Sequence, residues 1–199
     1  MTPESLPDPI AVATAVAERL DRLGITYVIG GSFASSLHGE PRSTNDVDLV
    51  ADLQTDTVDA FVGSFGAEYY ASAAAAVDAV RSGGSFNIVH IPSAVKVDIF
   101  VAGADALDRE RLQRRRAVRI AAGAGHVELF VDTAENTILR KLEWFRRGGE
   151  SSERQWRDVI GVVRIRRPDL DHPYLRHWAV RLGVTDLLDR AFDEALREK

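Results

Sequence analysis

A short apolar run, Ile25 to Ile29, stops at Gly30-Gly31-Ser32, and a second apolar run later opens with Asp46-Val47-Asp48. Between them lie a helix-like segment, Ser32 to His38, and a turn at Gly39-Glu40-Pro41. This strand–Gly-Gly–helix–turn–strand unit constrains the fold more than any other stretch. Residues two apart in a strand project to the same face, so Asp46 and Asp48 stand side by side. Adjacent carboxylates repel one another unless a positive charge lies between them. A divalent metal is the usual solution, and a set of oxygen ligands suits magnesium. The two glycines precede a helix N-terminus, whose backbone N–H groups can hold an anion. An anion cradle beside metal-binding carboxylates fits a nucleoside triphosphate bound with magnesium.

At 199 residues the chain makes one large domain or two small ones. Its 45% hydrophobic content supports a real core. Cysteine is absent, which excludes disulfides and thiolate–zinc sites and fits a reducing cytosol. Met1 to Pro9 is acidic and proline-rich and lacks the basic and apolar regions of a signal peptide. No apolar stretch reaches the roughly 18 residues that span a bilayer, so no membrane partner is expected. The cytoplasm is the expected location.

The net charge of −5 argues against a general nucleic-acid binder. Arginine is nevertheless clustered, at Arg109, Arg111, Arg114, Arg115, Arg116 and Arg119, and again from Arg140 onward. Such runs are solvated helix faces or surfaces for phosphate or RNA. Lysine occurs at Lys96, Lys141 and Lys199, against a strong preference for arginine.

Taken in order, apolar residues from Ile10 to Leu23 fall at helical spacing, with Asp8-Pro9 as cap and first turn and Gly24 as the stop. Ile25 to Ile29 and Asp46 to Val50 read as strands. Asp56 to Phe65 and the alanine-rich Ala71 to Val80 read as helices. Phe86 to Ile91 and Val95 to Val101 form a hairpin about Pro92-Ser93-Ala94. Asp105 to Arg115 is helical, and Ala117 to Ala121 with His126 to Val131 makes a second hairpin about Gly123-Ala124-Gly125. From Asp132 the period turns helical, with helices over Thr133 to Arg147, from Ser151-Ser152-Glu153 to Pro168, over His172 to Leu182 and over Thr185 to Arg197. The expected organisation is an αβ core over 1–131 and a helical subdomain over 132–199 that closes the cleft. Trp144, Trp156 and Trp178 fall at helical spacing with other apolar residues and read as core or cleft wall rather than as a base-stacking platform.

Asp98 sits in the interior of the strand Val95 to Val101, sharing a face with Lys96 and Phe100. A carboxylate there must be ion-paired, metal-bound or at the sheet's rim. Lys96 or an arginine is the candidate partner for the first case. His38 ends its helix, where a cation complements the dipole, or else serves function directly. Arg42 either anchors its turn to the carboxylates or reaches a phosphate.

Gly30-Gly31-Ser32, Asp46-Val47-Asp48 and Asp98 together resemble the polymerase-beta-like nucleotidyltransferase superfamily. The fuller pattern Gly-Gly-Ser-x-Ala, His-Gly and Arg-x-Thr-x-Asp-x-Asp-Leu is similar to its small prokaryotic members, the minimal and toxin-associated nucleotidyltransferases. The resemblance covers roughly residues 25 to 101, and the helical remainder matches less specifically. It implies an α+β fold, a nucleotidyltransferase-type mixed β-sheet with flanking helices followed by a C-terminal helical subdomain. It also implies that Gly30, Gly31 and Ser32 hold the triphosphate, with Arg42 among the nucleotide-binding residues. The resemblance further implies that Asp46, Asp48 and Asp98 bind two magnesium ions and that Asp98 helps deprotonate the acceptor. A helix lysine and, one helix later, an Arg/Lys-Asp pair are found in some toxin-type members. Lys141 and Asp158 resemble these, which implies a triphosphate contact and an orienting carboxylate. Without the resemblance, an interhelix salt bridge explains the two equally well.

The expected reaction is transfer of a nucleoside monophosphate from an NTP donor to an acceptor hydroxyl, with pyrophosphate released. The acceptor is an RNA 3′ end, a protein or a small molecule, and a toxin–antitoxin partner fits the resemblance. There is no Gly-x-x-x-x-Gly-Lys-Ser/Thr, which argues against a P-loop NTPase. The rival is a non-catalytic nucleotide-binding or partner-binding module that kept the fold.

Overall fold

Alternating apolar residues build the sheet, and their spacing decides which face is covered. In a computed structural model that describes residues 9–42, 46–103, 105–122 and 125–197, the first unit contains the strands β1 (Tyr27–Ile29), β2 (Asp46–Ala51), β3 (Tyr69–Ala71), β4 (Ser85–His90), β5 (Val95–Val101), β6 (Arg116–Ala122) and β7 (Gly125–Val131). Among the described residues these seven form one mixed sheet in the order β3-β4-β5-β2-β1-β7-β6. The pairs β2–β5 and β1–β7 are parallel, and the other neighbours are antiparallel.

One face of the sheet's centre carries Val47, Leu49, Val97 and Ile99, all fully buried. Helix α1 (Pro9–Arg22) packs against these strands with Val12, Ala13, Val16, Ala17 and Leu20 inward. Val12, Val16 and Leu20 each contribute about 1.5–3 kcal/mol by leaving water, and the two alanines less. On the opposite face Val28 and Val50 meet Leu112 of α5 (Ala106–Arg114), with Phe100 and Ala102 packed around them. That apolar patch covers only one end of the face. At the other end, along the same strands, stand Asp46, Asp48, Lys96 and Asp98. The unit is completed by α3 (Val58–Gly63) and α4 (Ala73–Ser82).

The chain divides into two compact units, residues 1–29 with 44–131 and residues 30–43 with 132–199. The segment after β1, placed by its sequence with the αβ core, thus belongs to the helical unit. That unit contains α2 (Gly31–His38), α6 (Ala134–Arg147), α7 (Glu153–Arg166), a 3₁₀ turn at Arg167–Asp169, α8 (His172–Leu182) and α9 (Thr185–Arg197). Thr133, Ser152 and Asp171 cap α6, α7 and α8, each accepting a hydrogen bond from an N–H of the first turn. Gly31 takes φ +55, a left-handed conformation that a side chain would resist.

Of the three tryptophans expected in core or cleft wall, Trp156 and Trp178 are buried and Trp144 is 45% exposed. The alanine-rich helix also starts later than its composition suggests. Tyr69–Ala71 pairs with His90–Ile88 as a strand, and Ser72 then caps α4. The expected cap Asp8, the motif residues Ser43-Thr44-Asn45 and the hairpin tip Gly123-Ala124 lie outside the described residues. Among the described residues no helix is long and apolar enough to cross a membrane.

Candidate functional site

In the parallel pair β2–β5, Asp46 is the register partner of Lys96, and Asp48 is the register partner of Asp98. Register partners and residues two apart share a face, so these four side chains occupy the corners of one small rectangle. Asn87 on β4 is the register partner of Asp98 and borders it from the other side. Val47 and Leu49, buried on the far face, lock β2 in this register, because a one-residue slip would turn them outward. The apolar alternation of the strands therefore places the carboxylates.

Lys96 Nζ lies 2.7 Å from Asp98 Oδ2. Its hydrogen bond to Asp98 raises the lysine pKa above the usual range, opposed by partial burial and reinforced by the charges of Asp98, Asp46 and Asp48. The ammonium therefore feels all three aspartates. Sequence reasoning had Lys96 only as one possible ion-pair partner for Asp98, and Asn87 escaped it altogether. The signal for Asn87 was a polar residue between Phe86 and Ile88 in an otherwise apolar strand.

The helical unit carries a second polar centre. Arg42 Nε and Nη2 donate to Asp158 Oδ1 and Oδ2 at 2.9 and 2.8 Å, a bidentate pair. Lys141 Nζ donates to Asp158 Oδ2 at 2.7 Å. Arg42 Nη2 also donates to Ser32 Oγ, in the first turn of α2. Burial pushes the Asp158 carboxyl up, but the hydrogen bonds from Arg42 and Lys141 outweigh it and hold it below its usual value. Gly30, the cap of α2, offers no side chain to the helix's first N–H groups. Those donors point where an anion would bind. Ser32, Arg42, Lys141 and Asp158 thus form one connected network, and Arg42 binds a carboxylate of α7 rather than one on a strand.

His38 Nε2 lies 2.6 Å from the Asp132 carbonyl oxygen. A carbonyl only accepts, so Nε2 carries the proton. Burial lowers the His38 pKa, with the Asp132 hydrogen bond opposing it. The ring is neutral at pH 7 and ties the end of α2 to the segment that leads into α6.

No family model and no curated protein matches the sequence. Among solved structures, an antigenic nucleotidyltransferase-like protein from Paracoccidioides brasiliensis matches with TM-score 0.53 and 18% identity, over 94% of this chain and 92% of that one. The antibiotic-resistance factor ANT(2'')-Ia matches with TM-score 0.51 and 14% identity, over 92% of this chain and 97% of that one. The chain has a nucleotidyltransferase fold. The mixed sheet with flanking helices and a helical C-terminal part is the α+β architecture that the motifs implied.

On this nucleotidyltransferase sheet the donor set suits magnesium in kind. Three carboxylates share a face, on adjacent strands in register, with oxygen as the available ligand atom. Among the described residues no group of three or more His, Asp or Glu side chains is gathered as a ready-made metal site. The Oδ2 atom of Asp98 is engaged by Lys96 instead.

Proposed function

We propose that this protein is a magnesium-dependent nucleotidyltransferase that moves a nucleoside monophosphate from an NTP to an acceptor hydroxyl and releases pyrophosphate. The observation that carries the reading is the in-register placement of Asp46 and Asp48 beside Asp98 on β2 and β5 of a nucleotidyltransferase sheet. Asp46, Asp48 and Asp98 hold the metal. Bound magnesium would offset triphosphate charge and polarise the phosphorus under attack. The first-turn N–H groups after Gly30, with Gly31 and the Ser32 hydroxyl, bind phosphate oxygens. Arg42 and Lys141 supply positive charge, and Asp158 keeps both side chains extended and oriented. Asp98 also helps deprotonate the attacking hydroxyl. The acceptor is an RNA 3′ end, a protein hydroxyl or a small molecule. A neighbour described as an antibiotic-resistance factor makes the small molecule worth including among the substrates tried.

The test is incubation with α-labelled NTPs, magnesium and cell lysate, followed by separation of RNA, protein and small molecules. Label should enter one class, and Asp46→Asn or Asp48→Asn should abolish it while circular dichroism stays unchanged. Full transfer by both variants would overturn the assignment. Nucleotide binding without pyrophosphate release on any acceptor, self-modification included, would identify the protein as a binding module.

A further inference from the structure

Lys96 occupies the fourth corner of the carboxylate rectangle, beside Asp46 in register and on the same face as Asp98. Its ammonium is bound to Asp98 Oδ2 at 2.7 Å, and the charges of Asp46 and Asp48 act on it as well. We infer that Lys96 is a built-in counter-ion for the metal-binding carboxylates, and that a divalent cation must displace it from Asp98 to complete its ligand set. This rests on the metal-binding role proposed for the three aspartates.

The physical case is one of competition. Three carboxylates on one patch repel each other, and without a cation that repulsion opposes folding. A lysine on the neighbouring strand relieves it with a single charge on a flexible stem. Magnesium requires short contacts of about 2.0–2.1 Å in near-octahedral geometry, so an oxygen facing an ammonium is not free to ligate it. The Lys96 side chain is 37% exposed and that of Asp98 24% exposed. The pair is therefore accessible to solvent and weak enough to exchange. Asp98 gives up its lysine to join, and metal binding is set weaker than it would be without that ammonium. Lys96 is thus a positioning residue, acting through Asp98.

The experiment measures Mn²⁺ affinity of the full chain by electron paramagnetic resonance, with nucleotide absent, for wild type, Lys96→Met and Lys96→Arg. Lys96→Met should bind Mn²⁺ about three- to tenfold more tightly, the range expected when a competing charge leaves a partly exposed site. Lys96→Arg should stay within about twofold of wild type, because the competing charge is kept. Thermal melts without metal should show Lys96→Met destabilised, and Mn²⁺ should raise its melting temperature more than that of wild type. Equal or weaker Mn²⁺ binding by a folded Lys96→Met, with wild type binding normally, would overturn the Lys96 inference alone. No Mn²⁺ binding by any of the three proteins would overturn both it and the metal-binding role of the aspartates.

Discussion

Lys141 of α6 meets Asp158 of α7 at 2.7 Å, joining two helices through side chains that are each about nine-tenths buried. The helices connect through the Gly148-Gly149 turn, which returns the chain so that residues 17 apart in sequence face each other. Asp158 also takes the Arg42 guanidinium, so one carboxylate serves both cations. Replacing it removes the carboxylate that both side chains share in a poorly hydrated place. Asp158→Ala should therefore cost about 3–5 kcal/mol of stability, the range for removing one partner of a buried ion pair. Lys141→Met removes one cation but leaves the bidentate Arg42–Asp158 pair, and should cost clearly less. Urea denaturation of both variants checks the order. An Asp158→Ala protein as stable as wild type would show that the pair adds nothing to folding.

Two groups give the stability a defined pH dependence. The His38 pKa is lowered in the fold by burial, with the Asp132 hydrogen bond opposing it. As pH falls below the usual histidine value of about 6.5, the unfolded chain takes up this proton first, so stability falls with pH down to the folded pKa. For Asp158, the Arg42 and Lys141 hydrogen bonds prevail over burial and the folded pKa lies below the usual value. Its contribution is complete above about pH 3.9 and is lost as pH falls through the lowered folded pKa. Melting temperature against pH should thus decline in two separated stages. His38→Gln, which keeps an N–H donor for the Asp132 carbonyl, should remove the upper stage and leave the lower one.

Much of this architecture is readable in local patterning. Val47, Leu49, Val97 and Ile99 alternate with aspartate and lysine, and period two alone assigns their faces. Thr133 and Ser152 announce their helices because capping is chemistry between residues three apart. The place of Lys96 was not readable in the same way. Its neighbour Asp46 lies on a strand reached by a long crossover, and sequence does not say which strands become neighbours. The partner of Arg42 was hidden for the same reason, since Asp158 lies 116 residues away. Strand β3 is three residues long, too short for any period to show, and adjoins an alanine run with its own helical preference. Gly39 read as a helix stop, but that is only part of its role.

Gly39 lies against α7. A Cβ built on it would come within 2.8 Å of the Val162 backbone nitrogen, 3.0 Å of the Gly161 carbonyl carbon and 3.0 Å of the Ser35 carbonyl oxygen. These are backbone atoms, which cannot move aside as a flexible side chain can. Gly39→Ala should therefore force α2 and α7 apart and destabilise by about 1–3 kcal/mol, as overpacking does. Gly161, on the facing helix, behaves differently. Its Cβ would meet the Glu40 backbone nitrogen at 3.4 Å and Glu40 side-chain carbons at 3.6 and 3.8 Å, which is ordinary contact. Gly161→Ala also gains helix propensity of up to about 1 kcal/mol and should be neutral or stabilising. Because α2 carries Ser32, and Arg42 follows it, Gly39→Ala should also weaken the proposed NTP binding, measured by titration calorimetry, while Gly161→Ala should not. Equal melting temperatures for the two variants would show that the close approach at Gly39 does not govern the packing of α2.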